Sequence, residues 1–203
     1  MLLVLGLALI ASAGCTATYK NRAPYGSYWL AGAGASSTDV EESSAFNGSV
    51  DKTDFAWVTA AGITFARYGA FEVGYVDLGT VGFDGEFGSV PNAGSIRSRG
   101  WKTSLFGNLH LGGRWRIQGE AGWFWWQSQE REYFGPVEER SSASGDDVMY
   151  GAGVEFDASR RVALRLLFEQ FRDVGQTDEL QGEPANLATV SVVIKFGPNN
   201  KKK

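Results

Sequence analysis

Cysteine is nearly missing from this 203-residue chain: Cys15 stands alone, which excludes a disulfide framework and any cysteine-built metal centre. Histidine is as scarce, and a single His110 rules out a histidine-rich zinc site. Positive charge is lacking too. The formal charge is −4, so no basic stripe exists for nucleic acid, and Lys201–Lys203 is too short to serve as one. Long apolar runs are also absent: residues 2–13, LLVLGLALIASA, stop well short of the ~20 residues that a spanning helix needs. What abounds is glycine, 27 residues, together with 13% aromatics that include seven tryptophans. That pairing suits strands joined by many turns better than packed helices.

The apolar run at 2–13 ends in Ala11-Ser12-Ala13, a small-residue cleavage signature, so residues 1–13 are expected to be a secretory leader. A lipoprotein leader acylated at Cys15 is the competing reading. Against it stands Ser12, where such leaders carry leucine. A polar linker at 14–23, a strand-rich domain at 24–197 and a polar tail at 198–203 complete the expected organisation.

Along 24–197 the recurring period is two. Trp101, Thr103, Leu105, Gly107, Leu109 and Leu111 oppose Lys102, Ser104, Phe106, Asn108 and His110. Trp115, Ile117, Ala121, Trp123 and Trp125 oppose Arg116, Gln118, Glu120 and Gly122. The same contrast sets Phe71, Val73 and Tyr75 against Glu72 and Gly74, and Val148, Tyr150, Ala152, Val154 and Phe156 against Gly151, Gly153 and Glu155. It recurs with Leu164, Leu166 and Phe168 against Arg165 and Glu169, and with Val190, Val192, Ile194 and Phe196 against Thr189, Ser191 and Lys195. Two weaker strands near 24–35 and 55–66 bring the expected count to eight.

Connections alternate in length. Arg67–Gly69, Gly112–Gly113 and Ala158–Arg161 are tight, whereas 36–54, 80–98, 129–146 and 173–186 are long and polar. Short and long connections therefore fall at opposite ends of the strands. The pattern predicts an all-β fold: an eight-stranded antiparallel up-and-down transmembrane β-barrel with short periplasmic turns and four long extracellular loops. A soluble lipocalin-like barrel would instead turn its apolar face inward around a ligand. Two features favour apolar-out. Gly74, Gly122, Gly151 and Gly153 lie on the polar face, where they leave room for long charged side chains inside a narrow lumen. Aromatics crowd the strand ends, and Trp57, Trp101, Trp115, Trp123, Trp125 and Phe196 are the expected membrane-interface girdles. The polar face carries Glu72, Lys102, Arg116, Glu120, Glu155, Arg165, Glu169 and Lys195, a nearly balanced set expected to pair inside the lumen. Glu72, Arg116, Glu155 and Arg165 lie at one expected depth; Lys102, Glu120 and Glu169 lie one layer higher.

The segment RYGAFEVGYVDLG (67–79) resembles the hairpin and third strand of the OmpA-like eight-stranded barrels, an acidic residue followed by GY-x-DLG. Here these are Glu72, Gly74, Tyr75, Asp77, Leu78 and Gly79. GAGVEFDASRRVALRLLFEQF (151–171) is similar to their sixth and seventh strands, and ATVSVVIKF (188–196) to the last strand that the barrel assembly machinery recognises. The resemblance implies a bacterial outer-membrane location, contact with outer-membrane lipid and lipopolysaccharide, and a monomer. GPNNKKK follows Phe196 instead of a peptidoglycan-binding domain, so cell-wall tethering is not implied.

No chemistry is expected. His110 has no nucleophile motif beside it, the pairs Glu41–Glu42 and Glu138–Glu139 lie in polar connections, and no EF-hand spacing is present. The expected role is structural or surface-interacting, without cofactor or metal, around a plugged, salt-bridged lumen. A narrow gated porin-like channel and a soluble binder of apolar ligands are the alternatives.

Overall fold

A computed structural model of the chain describes residues 26–38, 46–51, 53–65, 68–87, 90–134, 137–174 and 183–196. The leader, the linker and the lysine tail lie outside the described residues. Nine strands are present among them: β1 (Gly26–Thr38), β2 (Phe46–Asp51), β3 (Thr53–Thr64), β4 (Gly69–Phe87), β5 (Val90–Gly112), β6 (Trp115–Phe134), β7 (Val137–Phe156), β8 (Val162–Val174) and β9 (Glu183–Phe196). β2 and β3 form one pass. Both pair antiparallel with β4, Asp51 opposite Gly82 and Trp57 opposite Asp77. Each pass then pairs with the next, and β1 pairs with both β3 and β9, Trp29 standing opposite Ala61 and Ile194. The ladder therefore closes into an eight-pass ring. Closure leaves no sheet edge around the ring, which a barrel in hydrocarbon requires because lipid offers unpaired backbone groups nothing.

Three connections are tight. Phe65 N–H donates to the Gly69 carbonyl across the first, and Gly112 and Gly113 take φ of +100° and +60° at the second. In the third, the Ser159 hydroxyl accepts from the amides of Arg161 and Val162. The other ends of the strands differ from the sequence expectation in one respect. Segments 80–98, 129–146 and, in its described residues, 36–54, expected as loops, are largely strand: Thr80–Phe87 pairs with Val90–Arg97, Gln129–Phe134 with Val137–Ser142, and Phe46–Asp51 with Gly82–Phe87. The β6–β7 ladder has no apolar face, so the period-two contrast that reveals a strand is missing there although the backbone pairing continues. Along β4, Val81, Phe83 and Phe87 do alternate with Thr80, Asp84 and Glu86, but the recurring glycines at 79, 82 and 85 read as turn signals.

A bulge separates the two parts of β4. Leu78 and Gly79 stand between paired Asp77 and Thr80, with Gly79 at φ +81°. Asp77 fastens it, one carboxylate oxygen accepting the Gly79 amide at 3.0 Å and the other the Arg97 guanidinium at 2.5 Å.

The glycines on the inner face act differently from expectation. Only at Gly151 would an added Cβ crowd a lumenal charge, the Glu120 carboxylate. At Gly74, Gly122 and Gly153 it would run first into the neighbouring strand, against Ala60, the Thr103 carbonyl and the Leu166 carbonyl respectively. These glycines permit tight strand curvature, as a small barrel needs. Gly62 makes room of a further kind, since the Tyr28 ring occupies the space beside it.

Candidate functional site

The lumen contains two layers of different chemistry. Its charged layer follows from register. Arg116, Glu155 and Arg165 are direct neighbours across β6, β7 and β8, and Glu120, Gly151 and Glu169 form a parallel row four positions further up. Inward-facing side chains in adjacent strands meet at such positions, so opposite charges there need no long reach.

At the end with the tight turns, Arg116 Nη2 meets Glu155 at 2.5 Å and Asp157 at 2.5 Å, while Lys195 Nζ meets the same two carboxylates at 2.7 and 2.5 Å. Gln118 joins them, donating to Glu155 at 3.0 Å and to Asn108 at 2.8 Å. Arg165 links this group to the next. It reaches Glu155 at 3.2 Å and Glu72 at 2.8 Å, with its guanidinium over the rings of Tyr28 and Phe106. The Tyr28 hydroxyl donates to the same Glu72 oxygen at 2.9 Å. Above them Lys102 contacts Glu169 at 2.5 Å and stands 3.7 Å from both Glu72 and Glu120. All eight expected residues thus lie on the inner face. The sequence reading missed Asp157 and Tyr28. Asp157 sits one position past a strand end, and Tyr28 belongs to the strand with the weakest alternation.

Counting Asp157, five carboxylates meet four cations. The excess falls at the top. Neither oxygen of Glu120 has a hydrogen-bond partner among the described residues, and the Lys102 ammonium is committed to Glu169. The Lys102 side chain is only 1% exposed, so it has left water for these contacts.

Towards the long hairpins the lumen becomes apolar. Phe124 and Phe171 are fully buried with ring centroids 4.6 Å apart, and Met149, Leu187 and Trp126 are buried in the same core. The sequence reading overlooked this layer. A signal for it existed: Phe124 and Trp126 share the parity of Glu120, and Phe171 that of Glu169.

The outer face is the reverse of a soluble protein. Exposed Trp115, Ile117, Trp123 and Trp125 run along β6, Leu105 and Leu109 along β5, and Leu164, Leu166 and Phe168 along β8. Between Trp115 and Trp125 lie ten residue steps, ~33 Å of strand, or ~25 Å along the barrel axis at a ~40° tilt. That equals the apolar band of outer-membrane barrels. Trp115 and Phe196 lie at the tight-turn end, and Trp57, Trp101 and Trp125 at the other. Trp123 sits one step inside Trp125, its indole N–H donating to Asp146 at 2.8 Å. Trp29, a further exposed tryptophan near the tight-turn end, was not anticipated. Beyond the belt, on the β6–β7 hairpin, the Arg140 guanidinium hydrogen-bonded to Glu138 holds that carboxyl below the ordinary range. His110 stacks edge-on against Tyr68 near the second tight turn, with ring centroids 6.4 Å apart.

A closed antiparallel ring with charges inside and an aromatic-edged apolar wall outside defines a β-barrel of the bacterial outer membrane. The chain belongs to the OmpA-like transmembrane domain family, whose model matches residues 25–200. Its fold is similar to that of Ail, the attachment invasion locus protein of Yersinia pestis, at 12% identity and a TM-score of 0.55, over 86% of this chain and all of that one. Neisserial surface protein A is similar at 12% identity and TM-score 0.54, over 86% of this chain and 98% of its own. OprG of Pseudomonas aeruginosa follows at 11% identity and 0.53, over 85% of this chain and 97% of its own. Ail has also been solved with the heparin analogue sucrose octasulfate, a structure of TM-score 0.53 and 12% identity that covers 85% of this chain and 98% of that one. No curated protein matches the sequence. The tight turns face the periplasm and the long hairpins lie outside the cell.

Proposed function

We propose that this protein is a sealed surface barrel, a non-enzymatic scaffold that holds its outer hairpins at the cell surface for interaction. The observation that carries this reading is the apolar layer of Phe124, Phe171, Met149 and Leu187 above the ion-paired cluster. Water and ions would meet two unlike barriers in series, a desolvated apolar constriction and a buried cluster of ion-paired charges. The β4–β5 and β6–β7 hairpins continue their ladders well past the aromatic girdle, which supports a surface rather than a transport role. Ail with its anionic sugar analogue is a precedent for such a role on this fold. On this reading the leader is removed during export, the assembly machinery engages β9, and the barrel works as a monomer among lipopolysaccharide.

A narrow gated channel is the second reading. One observation favours it: Lys102 stands within 3.7 Å of Glu72 and Glu120 while bonded to Glu169, so alternative pairings are at hand. Planar-bilayer recording separates the two. The sealed barrel predicts no steady conductance from wild type or from Arg116→Ala, because the apolar layer stands clear of Arg116. Discrete openings of the wild-type protein would refute it.

A further inference from the structure

We infer that the open edge of β7, above the aromatic girdle, takes up an extended cationic polypeptide segment as an added strand. The proposal rests on the surface-interaction reading above and names the chemistry of the partner.

Within the apolar belt β7 has a neighbour on each side. Its ladder with β8 runs from Phe156 opposite Leu164 to Met149 opposite Phe171, and there it ends. Beyond that point β8 keeps only β9, Val174 standing opposite Glu183. β7 continues outward on β6 alone, with Asp146 opposite Trp125 and Val137 opposite Phe134. Among the described residues no strand pairs with the other side of Val137–Val148. Alternate residues of an antiparallel strand turn both N–H and C=O to the same side, so about six residues here offer both groups to a partner. Proteins ordinarily blunt such an edge with lysine, proline or a bulge. Residues 138–147 read EERSSASGDD, without lysine or proline and in unbroken register with β6. Five small uncharged residues, Ser141–Gly145, form the centre of this edge and leave its backbone accessible.

Charge names the occupant. Between 129 and 147 the hairpin carries six carboxylates and two guanidiniums. Arg140 is engaged with Glu138 at 2.7 Å, and Glu139 stands directly opposite Glu132, a like pair that an added cation would relieve. Arg172, which follows Phe171 at the foot of the edge, offsets part of the charge, but the excess stays negative. Two copies in one membrane share an orientation, so their β7 edges would meet parallel and set these carboxylates against their own copies. The connection between Val174 and Glu183 holds Asp178 and Glu179 and no cation, so it does not supply the complement either. A foreign strand with lysine or arginine does. Its spacing follows from one-to-one pairing. Glu138–Glu139 and Asp146–Asp147 lie eight positions apart, ~27 Å of strand, so the partner's basic groups should also stand eight apart. Main-chain hydrogen bonds then supply affinity, and the two charged ends supply selection.

The test is an anisotropy titration of the folded full-length barrel in vesicles of zwitterionic lipid. The probe is a labelled decapeptide, threonine and valine alternating between a pair of lysines at each end. Wild type should bind it about tenfold more tightly than an isomer with all its lysines at one end, or a copy methylated on its backbone nitrogens. Glu139→Gln combined with Asp146→Asn should lose about tenfold, whereas Asp84→Asn, on the β4–β5 hairpin, should match wild type. Bound peptide should slow hydrogen exchange at Ser141–Gly145. Each variant must keep the heat-dependent shift of a folded barrel on SDS gels, so that lost binding is not lost folding. Equal binding of the methylated copy or of the isomer, unchanged binding by the double variant, or no added protection at Ser141–Gly145 would overturn the proposal. None of these results bears on conductance, so the sealed-barrel reading stands or falls separately.

Discussion

Removing the Lys102 ammonium leaves Glu72, Glu120 and Glu169 crowded together at the top of the charged layer. Among the described residues, Arg165 is then the remaining cation of that group, and it reaches Glu72 alone. Lys102→Met keeps the length of the side chain and deletes its charge, so packing changes little while a buried pair is broken. Such a break costs about 3–5 kcal/mol, because the penalty is the stranded carboxylate rather than the lost attraction. Glu120→Gln makes the opposite change. Its carboxylate has no hydrogen-bond partner and adds the unbalanced negative charge, so the substitution should stay within about 1 kcal/mol of wild type or stabilise. Pairing Lys102→Met with Glu169→Gln should recover part of the loss, since one stranded charge disappears with it. Urea titration of the folded barrel in lipid vesicles, read by tryptophan fluorescence and by gel mobility before boiling, supplies the three free energies. The reasoning fails if Lys102→Met unfolds within about 1 kcal/mol of wild type, or if Glu120→Gln costs as much as Lys102→Met.

Leu105→Arg and Val154→Arg place a cation on the lipid side and should each cost about 2–4 kcal/mol near the midplane, measured by the same titration. Gly122→Ala drives a methyl group into the Thr103 carbonyl and should destabilise by about 1–3 kcal/mol, whereas Gly119→Ala, with open space around it, should be neutral. Asp77→Ala removes both the Gly79 amide acceptor and the Arg97 partner. Hydrogen exchange should then rise at Gly79 and Thr80 above the girdle while β4 below Tyr75 stays protected.

Much of the ring was legible because its two faces meet different solvents. Trp115 to Trp125 alternates with Arg116 to Gly122, and that contrast locates both a strand and its polarity. Legibility ended where the contrast ended. Along Gln129–Phe134 both faces are polar, and along Thr80–Phe87 the alternation of Val81, Phe83 and Phe87 is diluted by Gly82 and Gly85, so a paired strand reads as a loop. In the upper lumen the contrast fails in the other direction: Phe124, Met149 and Phe171 face inward although they are apolar, and only their parity with Glu120, Gly151 and Glu169 betrays them. The charge cluster was readable residue by residue, but not its partners. Lys102 and Glu169 are 67 positions apart, and which carboxylate the lysine takes depends on barrel shear, a quantity no local pattern encodes. The inner glycines were noticed for the right face with an incomplete reason, since a sequence shows that a side chain is missing but not what would have struck it.

Nitroxide labels placed singly along β6 test the central claim, a barrel whose apolar wall faces lipid and ends at Trp125. In vesicles, labels at Ile117, Gly119 and Ala121 should collide with oxygen and be shielded from a water-soluble nickel chelate. Labels at Gln127 and Gln129, above the girdle, should show the reverse. Access of the nickel chelate to Gly119 and Ala121 equal to that at Gln129 would contradict the account.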